Sequence, residues 1–144
     1  MGLNGADVRI KAMNVPLFLA GLLAVVGAGI HGLGGERWVL RKLWHEPLPP
    51  TRLGGPRMTK AMVHVSWHLA TFAFLAAGIG MVVTASVLDG DAAEALGIFT
   101  AATFTGFAAI ALGVGGAGNP RAVLRHGGPL VLSAAAALAW WGAL

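Results

Sequence analysis

The sequence predicts an all-α protein, a four-helix transmembrane bundle with a short interfacial helix after the first span. Two observations carry this. Hydrophobic residues make up 56% of the 144-residue chain and charged residues only 11%, against about 25% charged in a soluble domain. The charges are also bunched: residues 12–35, 61–88, 95–120 and 126–144 contain no Lys, Arg, Asp or Glu. A bilayer-crossing helix needs roughly 20 mainly apolar residues, so each gap accommodates one crossing. Four crossings take up most of residues 1–144, which predicts a single transmembrane domain and excludes a soluble globular fold.

The first span is expected at about residues 15–33, with Asn14 as cap and Pro16 in the opening turn, both favoured at helix starts. Glu36 to His45 (ERWVLRKLWH) then mixes Trp38, Leu40 and Trp44 with Arg37, Arg41 and Lys42. At helical spacing this suits an interface, rings in the headgroup layer and cations toward water, either as a continuation of the first helix or as a kinked interfacial one. Pro47, Pro49 and Pro50 stop it. The second span is expected at about 61–88, the third at about 95–116 and the fourth at about 129–144, opening at Pro129. The fourth is at the lower limit of length.

Basic residues predict the sidedness. Arg37, Arg41, Lys42, Arg52, Arg57 and Lys60 follow the first span and Arg121 and Arg125 the third, whereas only Arg9 and Lys11 lie on the other side. Because cytoplasmic loops collect Lys and Arg, the first and third loops are expected inside and both termini outside. A competing reading takes Arg9 and Lys11 as the basic region of a signal peptide, with Val15 to Val26 as its core and cleavage near Ala28. It would place six cations outside, against the charge rule. The excess of cations, net +4, is thus read as a membrane signature, with no nucleic acid as partner.

Small residues recur at helical spacing. Ala20, Ala24, Ala28 and Gly32 form one stripe, and Ala102, Gly106, Ala109, Gly113 and Gly116 another. Both are expected to be packing faces within the bundle, or toward a second copy or a partner membrane protein, since small residues let backbones approach in lipid. Thr100, Thr103 and Thr105 are expected to bond their own helix backbone.

The scarce polar groups gather at one end. His31 closes the first span, Glu36 follows it, and His64 and His68 open the second with Trp67 and Thr71 beside them. The i, i+4, i+7 spacing puts His64, His68 and Thr71 on one helix face, and antiparallel neighbours bring His31 to the depth of His68. Polar groups in a membrane are costly and face an interior. Three uses compete for them. One is a hydrogen-bond network that fixes the helix ends. Another is a transition-metal site drawn from His31, Glu36, His64 and His68, for zinc, copper or non-haem iron. The third is haem or another cofactor held by His31 and His68, with Trp67 as a wall. Beside these stand a small-molecule or lipid pocket that hydrogen-bonds through the same residues, a non-catalytic packing subunit and a small-molecule or ion transporter. His45 is expected in solvent, and His126 opens the fourth span.

Other chemistries are excluded. Without cysteine there are no disulfides, thiolate ligands or thiol redox pairs. No serine sits with the partners of a hydrolytic triad, and the glycine-rich stretch 27–35 lacks the strand and the Lys-Ser/Thr of a phosphate loop.

His31-x3-Gly35-Glu36, followed by a basic and apolar segment, a proline-containing loop and Trp67-His68-Leu69-Ala70-Thr71, resembles a group of small bacterial four-span membrane proteins of unknown function. The likeness covers about residues 15–85, and the last two spans share only hydropathy. It implies that His31, Gly35, Glu36, Trp67 and His68 form the functional end. His64 lies outside the motif, and Ala70 interrupts it. Other small four-span families fit less well. The chain lacks a Glu within its first span, which small multidrug transporters need. Its cation bias departs from the balance of dual-topology fluoride channels, and it lacks the cysteine pairs of the vitamin K epoxide type of quinone reductase.

Overall fold

The computed structural model describes residues 12–52, 54–117 and 120–144; Arg9 and Lys11 lie outside them. The described chain is all-helical. Helix α1 is Val15–Leu43, α2 is Pro56–Ser86 and α3 is Gly90–Gly116, with 29, 31 and 27 residues. A short α4, Pro120–Arg125, leads into α5, Gly127–Ala143. The three long helices are apolar and long enough to cross a membrane. The 17 residues of α5 span about 26 Å at 1.5 Å per residue, just under the roughly 30 Å hydrocarbon layer.

Asn14 starts α1 as expected: its Oδ1 accepts from the Leu17 N–H at 3.2 Å. It also holds two other helices. Its backbone N–H donates to Ala85 O at 3.1 Å and its Nδ2 to Gly142 O at 2.6 Å, tying the start of α1 to the ends of α2 and α5. Past Gly29, α1 widens into π-type i→i+5 hydrogen bonding over Ile30–Gly34 and again over Glu36–Leu40. It then runs on to Leu43. The basic and apolar segment is therefore the last turns of α1, the continuation of the first helix that its spacing allowed, and among the described residues no separate helix stands between α1 and α2. Nothing between Gly35 and Leu43 forbids helix, and the first proline is Pro47.

Helix α2 begins at Pro56, where a missing N–H costs nothing. Asp89 and Gly90 make the turn into α3. Gly90 has φ +59°, a left-handed conformation that glycine adopts without a Cβ clash.

Helix α1 packs antiparallel between α2 and α5, and α3 packs on α5. The alanine stripe of α1 is buried at Ala20, Ala24, Ala28 and Gly32. Gly21 and Gly78 bring α1 and α2 into backbone contact: a Cβ on Gly21 would lie 2.8 Å from Gly78 O, and one on Gly78 3.0 Å from the Ala24 Cβ. The core joins these to Leu17, Met81, Ala101, Phe104, Ala135 and Ala139. Many large apolar residues, among them Leu33, Leu69, Phe72, Phe99 and Val114, lie on the outside. Small residues inside and large apolar residues outside is the pattern of helices packed in lipid.

The stripe expected to pack α3 does not pack within the bundle. Ala102, Gly106, Ala109 and Gly113 are exposed and Gly116 only half-buried. Helix α3 instead buries Gly97, Thr100, Ala101, Phe104 and Ala108, a face rotated by about 140°. Phe104, 1% exposed, decides it, because its ring fills the centre and packs edge-on against Phe107. The threonines behave as expected. Thr100, Thr103 and Thr105 donate to Leu96 O, Phe99 O and Ala101 O at 2.8–2.9 Å, and Thr105 also accepts from Trp140 Nε1 at 3.0 Å.

Candidate metal centre

The polar groups meet where the second half of α1 faces the first half of α2. Pairs along this contact stay in register: Asn14 with Ala85, Gly21 with Gly78, His31 with Trp67 and Thr71, Glu36 with His64. The π-type turns set the facing. In an α-helix, residues five apart point about 140° from each other, while at roughly 4.4 residues per π-turn they point about 50° apart. His31 and Glu36 are five apart, and both face α2.

Two layers result. In the deeper one the His31 ring stacks on the Trp67 indole, with centroids 4.4 Å apart and planes within 10°, and meets the edge of Phe74 at 5.2 Å. Trp67 Nε1 donates to His31 O at 2.9 Å. Thr71 Oγ1 donates to Trp67 O at 3.0 Å, which uses its one proton, so the 2.8 Å contact with His31 Nδ1 has the ring as donor. His31 Nε2 then carries the lone pair. Glycines make the room. A Cβ on Gly35 would overlap the Trp67 indole, and one on Gly32 would lie 2.8 Å from the Thr71 methyl.

In the outer layer Glu36 sits between two histidines. Its Oε2 is 2.9 Å from His64 Nε2 and 3.5 Å from His68 Nε2, and its Oε1 is 3.8 Å from Arg41 Nε. The two imidazoles touch edge-on at 4.7 Å. One ligand atom from each of Glu36, His64 and His68 lies within 4.8 Å of the others. All three side chains are partly exposed, at 33%, 43% and 44%. The Arg41 contact is long and exposed, the kind of pair that adds little stability.

Of the residues expected to form a site, Glu36, His64 and His68 thus converge as one donor set, while His31 is engaged with Thr71 and Trp67. The shortest contact to Glu36 comes from His64, the histidine outside the sequence motif. Trp67 forms a wall, against His31. His45 and His126 are exposed and outside the donor set. Sequence spacing put Thr71 on the right face but did not show that it orients His31. The role of Phe74 was also missed; its only signal is its place one turn past Thr71.

No protein-family model, curated protein or solved structure matches the chain.

Proposed function

We propose that the protein is a metal-binding integral membrane protein whose ion is held by Glu36, His64 and His68. The observation that carries this is the convergence of two imidazole nitrogens on one carboxylate oxygen at 2.9 and 3.5 Å. Two His and one carboxylate is a known donor set for zinc, and also for non-haem iron, and leaves positions open to water or substrate. Zinc with bonds near 2.0–2.1 Å wants its ligands roughly 3.3 Å apart, so binding asks for movements of about 1 Å. Arg41 stands beside Glu36 outside the ligand shell, where it would orient the carboxylate rather than bind the ion.

Depth supports the reading. Counting about 20 residues, or roughly 30 Å, forward from Val15 reaches Gly35, and counting back from Ser86 reaches Ser66. Both helices place the hydrocarbon boundary at the same level, with Glu36 next to it and His64 and His68 on either side. A polar cluster is affordable there and can meet ions from the aqueous phase. The excess of Lys and Arg around it supports a cytoplasmic position, with both termini outside. The same proposal includes a bacterial inner membrane and a single domain over residues 1–144, in keeping with the charge-free stretches spread along the chain.

The test is a Zn²⁺ titration of chelator-stripped full-length protein in detergent, followed by calorimetry, with Co²⁺ absorption reporting geometry. One ion per chain is expected. His64→Ala, His68→Ala and Glu36→Gln should each weaken binding at least about tenfold, and His126→Ala should not change it. Acidification should weaken it too, because each imidazole must be deprotonated to bind. Binding no tighter than millimolar, or unchanged in His64→Ala, would refute the site. A Soret band lost in His31→Ala would favour the haem alternative.

A second reading, a non-catalytic subunit that packs against a copy of itself or another membrane protein, draws support from the outward face of α3. There Gly106 and Gly113 have open space where a Cβ would stand.

A further inference from the structure

Beside the donor set, the ends of α1 and α2 enclose a groove of about 490 Å³. Leu40, Trp44, Ala61 and Val65 form its walls, Arg41 and His45 stand at its edge, and Glu36 and His64 close its inner end. Val65 and Trp44 are more than half exposed, so the groove opens sideways. Lys60 holds the wall in place: its Nζ donates to Trp44 O and lies 5.9 Å over the Trp44 ring.

We infer that this groove binds one anionic phospholipid, with the phosphate on Arg41 and the start of an acyl chain along Leu40, Ala61 and Val65. The groove has two chemistries, and each excludes a simpler ligand. A free anion gains nothing from four apolar walls, and a zwitterionic lipid gains less from the cationic edge because its own cation stands beside the phosphate among the surrounding Lys and Arg. Arg41 has donors to spare, since Glu36 meets only its Nε side at 3.8 Å and a guanidinium carries five N–H groups in a fork matched to phosphate. The surrounding charge is complementary. Residues 36–60 hold six Lys and Arg against Glu36 and Glu46, a polybasic segment of the kind that anionic leaflets attract. The volume is that of a ligand pocket, enough for a headgroup and the upper part of one chain while the rest stays in the bilayer. The groove lies at the boundary depth counted above, where phosphates reside.

The inference goes beyond metal binding and does not depend on it, so its test is run in chelator. Native mass spectrometry of delipidated full-length protein in detergent is titrated with phosphatidylglycerol, phosphatidylcholine and inorganic phosphate. One phosphatidylglycerol per chain is expected, bound about tenfold more tightly than phosphatidylcholine and not displaced by millimolar phosphate. Arg41→Gln should remove that preference, a loss of about tenfold. Ala61→Trp and, on the exposed wall, Val65→Trp should block the groove and abolish the adduct while Zn²⁺ still binds. Equal retention of both lipids overturns the proposal, as does displacement by phosphate. An adduct that survives both tryptophan variants overturns it too.

Discussion

Gly35 shows how much of the candidate centre rests on a missing side chain. The Trp67 indole occupies the space a Cβ would take, and that ring in turn stacks on His31 and bonds its carbonyl. Gly35→Val should therefore push the indole off His31 without touching a proposed metal ligand. The expected result is a shifted tryptophan emission spectrum and a loosened junction of α1 with α2, seen as a Tm lower by several degrees. An unchanged Tm and spectrum would show that Trp67 has another place to go. The glycine was visible in the sequence as part of a motif, but its purpose was not, because nothing in a linear chain says which ring will lie over it.

At the scale of the element, the π-type turns of α1 decide which residues reach α2. Inserting one alanine after Gly34 puts Glu36 six positions past His31 and turns everything beyond the insertion by about 80–100°. Glu36 should then leave His64 and His68, with zinc affinity falling at least about tenfold while helix content by circular dichroism stays within a few percent. If zinc affinity survives, the turns do not set the facing. The helices themselves were legible because burying charge in lipid is prohibitive, so gaps between charges mark spans directly. The cap at Asn14 was legible for a similarly local reason, whereas α2 starts at Pro56, five residues before the expected 61, because the proline read as part of a turn also suits the first turn of a helix. The packed face of α3 was not. Small-residue spacing pointed to Gly106 and Gly113, whereas the fold turns on Phe104, a preference settled only by what α1, α2 and α5 leave open. The pairing of Glu36 with His64 depended on the same kind of information, the local pitch of α1.

For the whole molecule, the question is which way it faces. The chain has no cysteine, so single cysteines can report sidedness without a background. With the basic loops inside, Arg52→Cys should react with a membrane-impermeant maleimide only after cells are permeabilised, and Ala92→Cys should react in intact cells. The opposite pattern would invert the proposed topology and put the donor set on the outer surface.

Gly21 and Gly78 touch through their backbones, while the donor atoms lie far along the same pair of helices. Were α1 to tilt on α2, this contact would be the fulcrum, and the Trp67 and Thr71 side chains over Gly35 and Gly32 would have to move with it. From Gly21 to Glu36 is about 22 Å of helix at 1.5 Å per residue, so tilting α1 against α2 by only about 3° carries Glu36 through about 1 Å. That is the movement by which the three ligand atoms fall short of a zinc sphere. The lever arm turns a small rocking of two rigid rods into the difference between an open carboxylate–imidazole cluster and a closed one, with the tightly packed end left where it is.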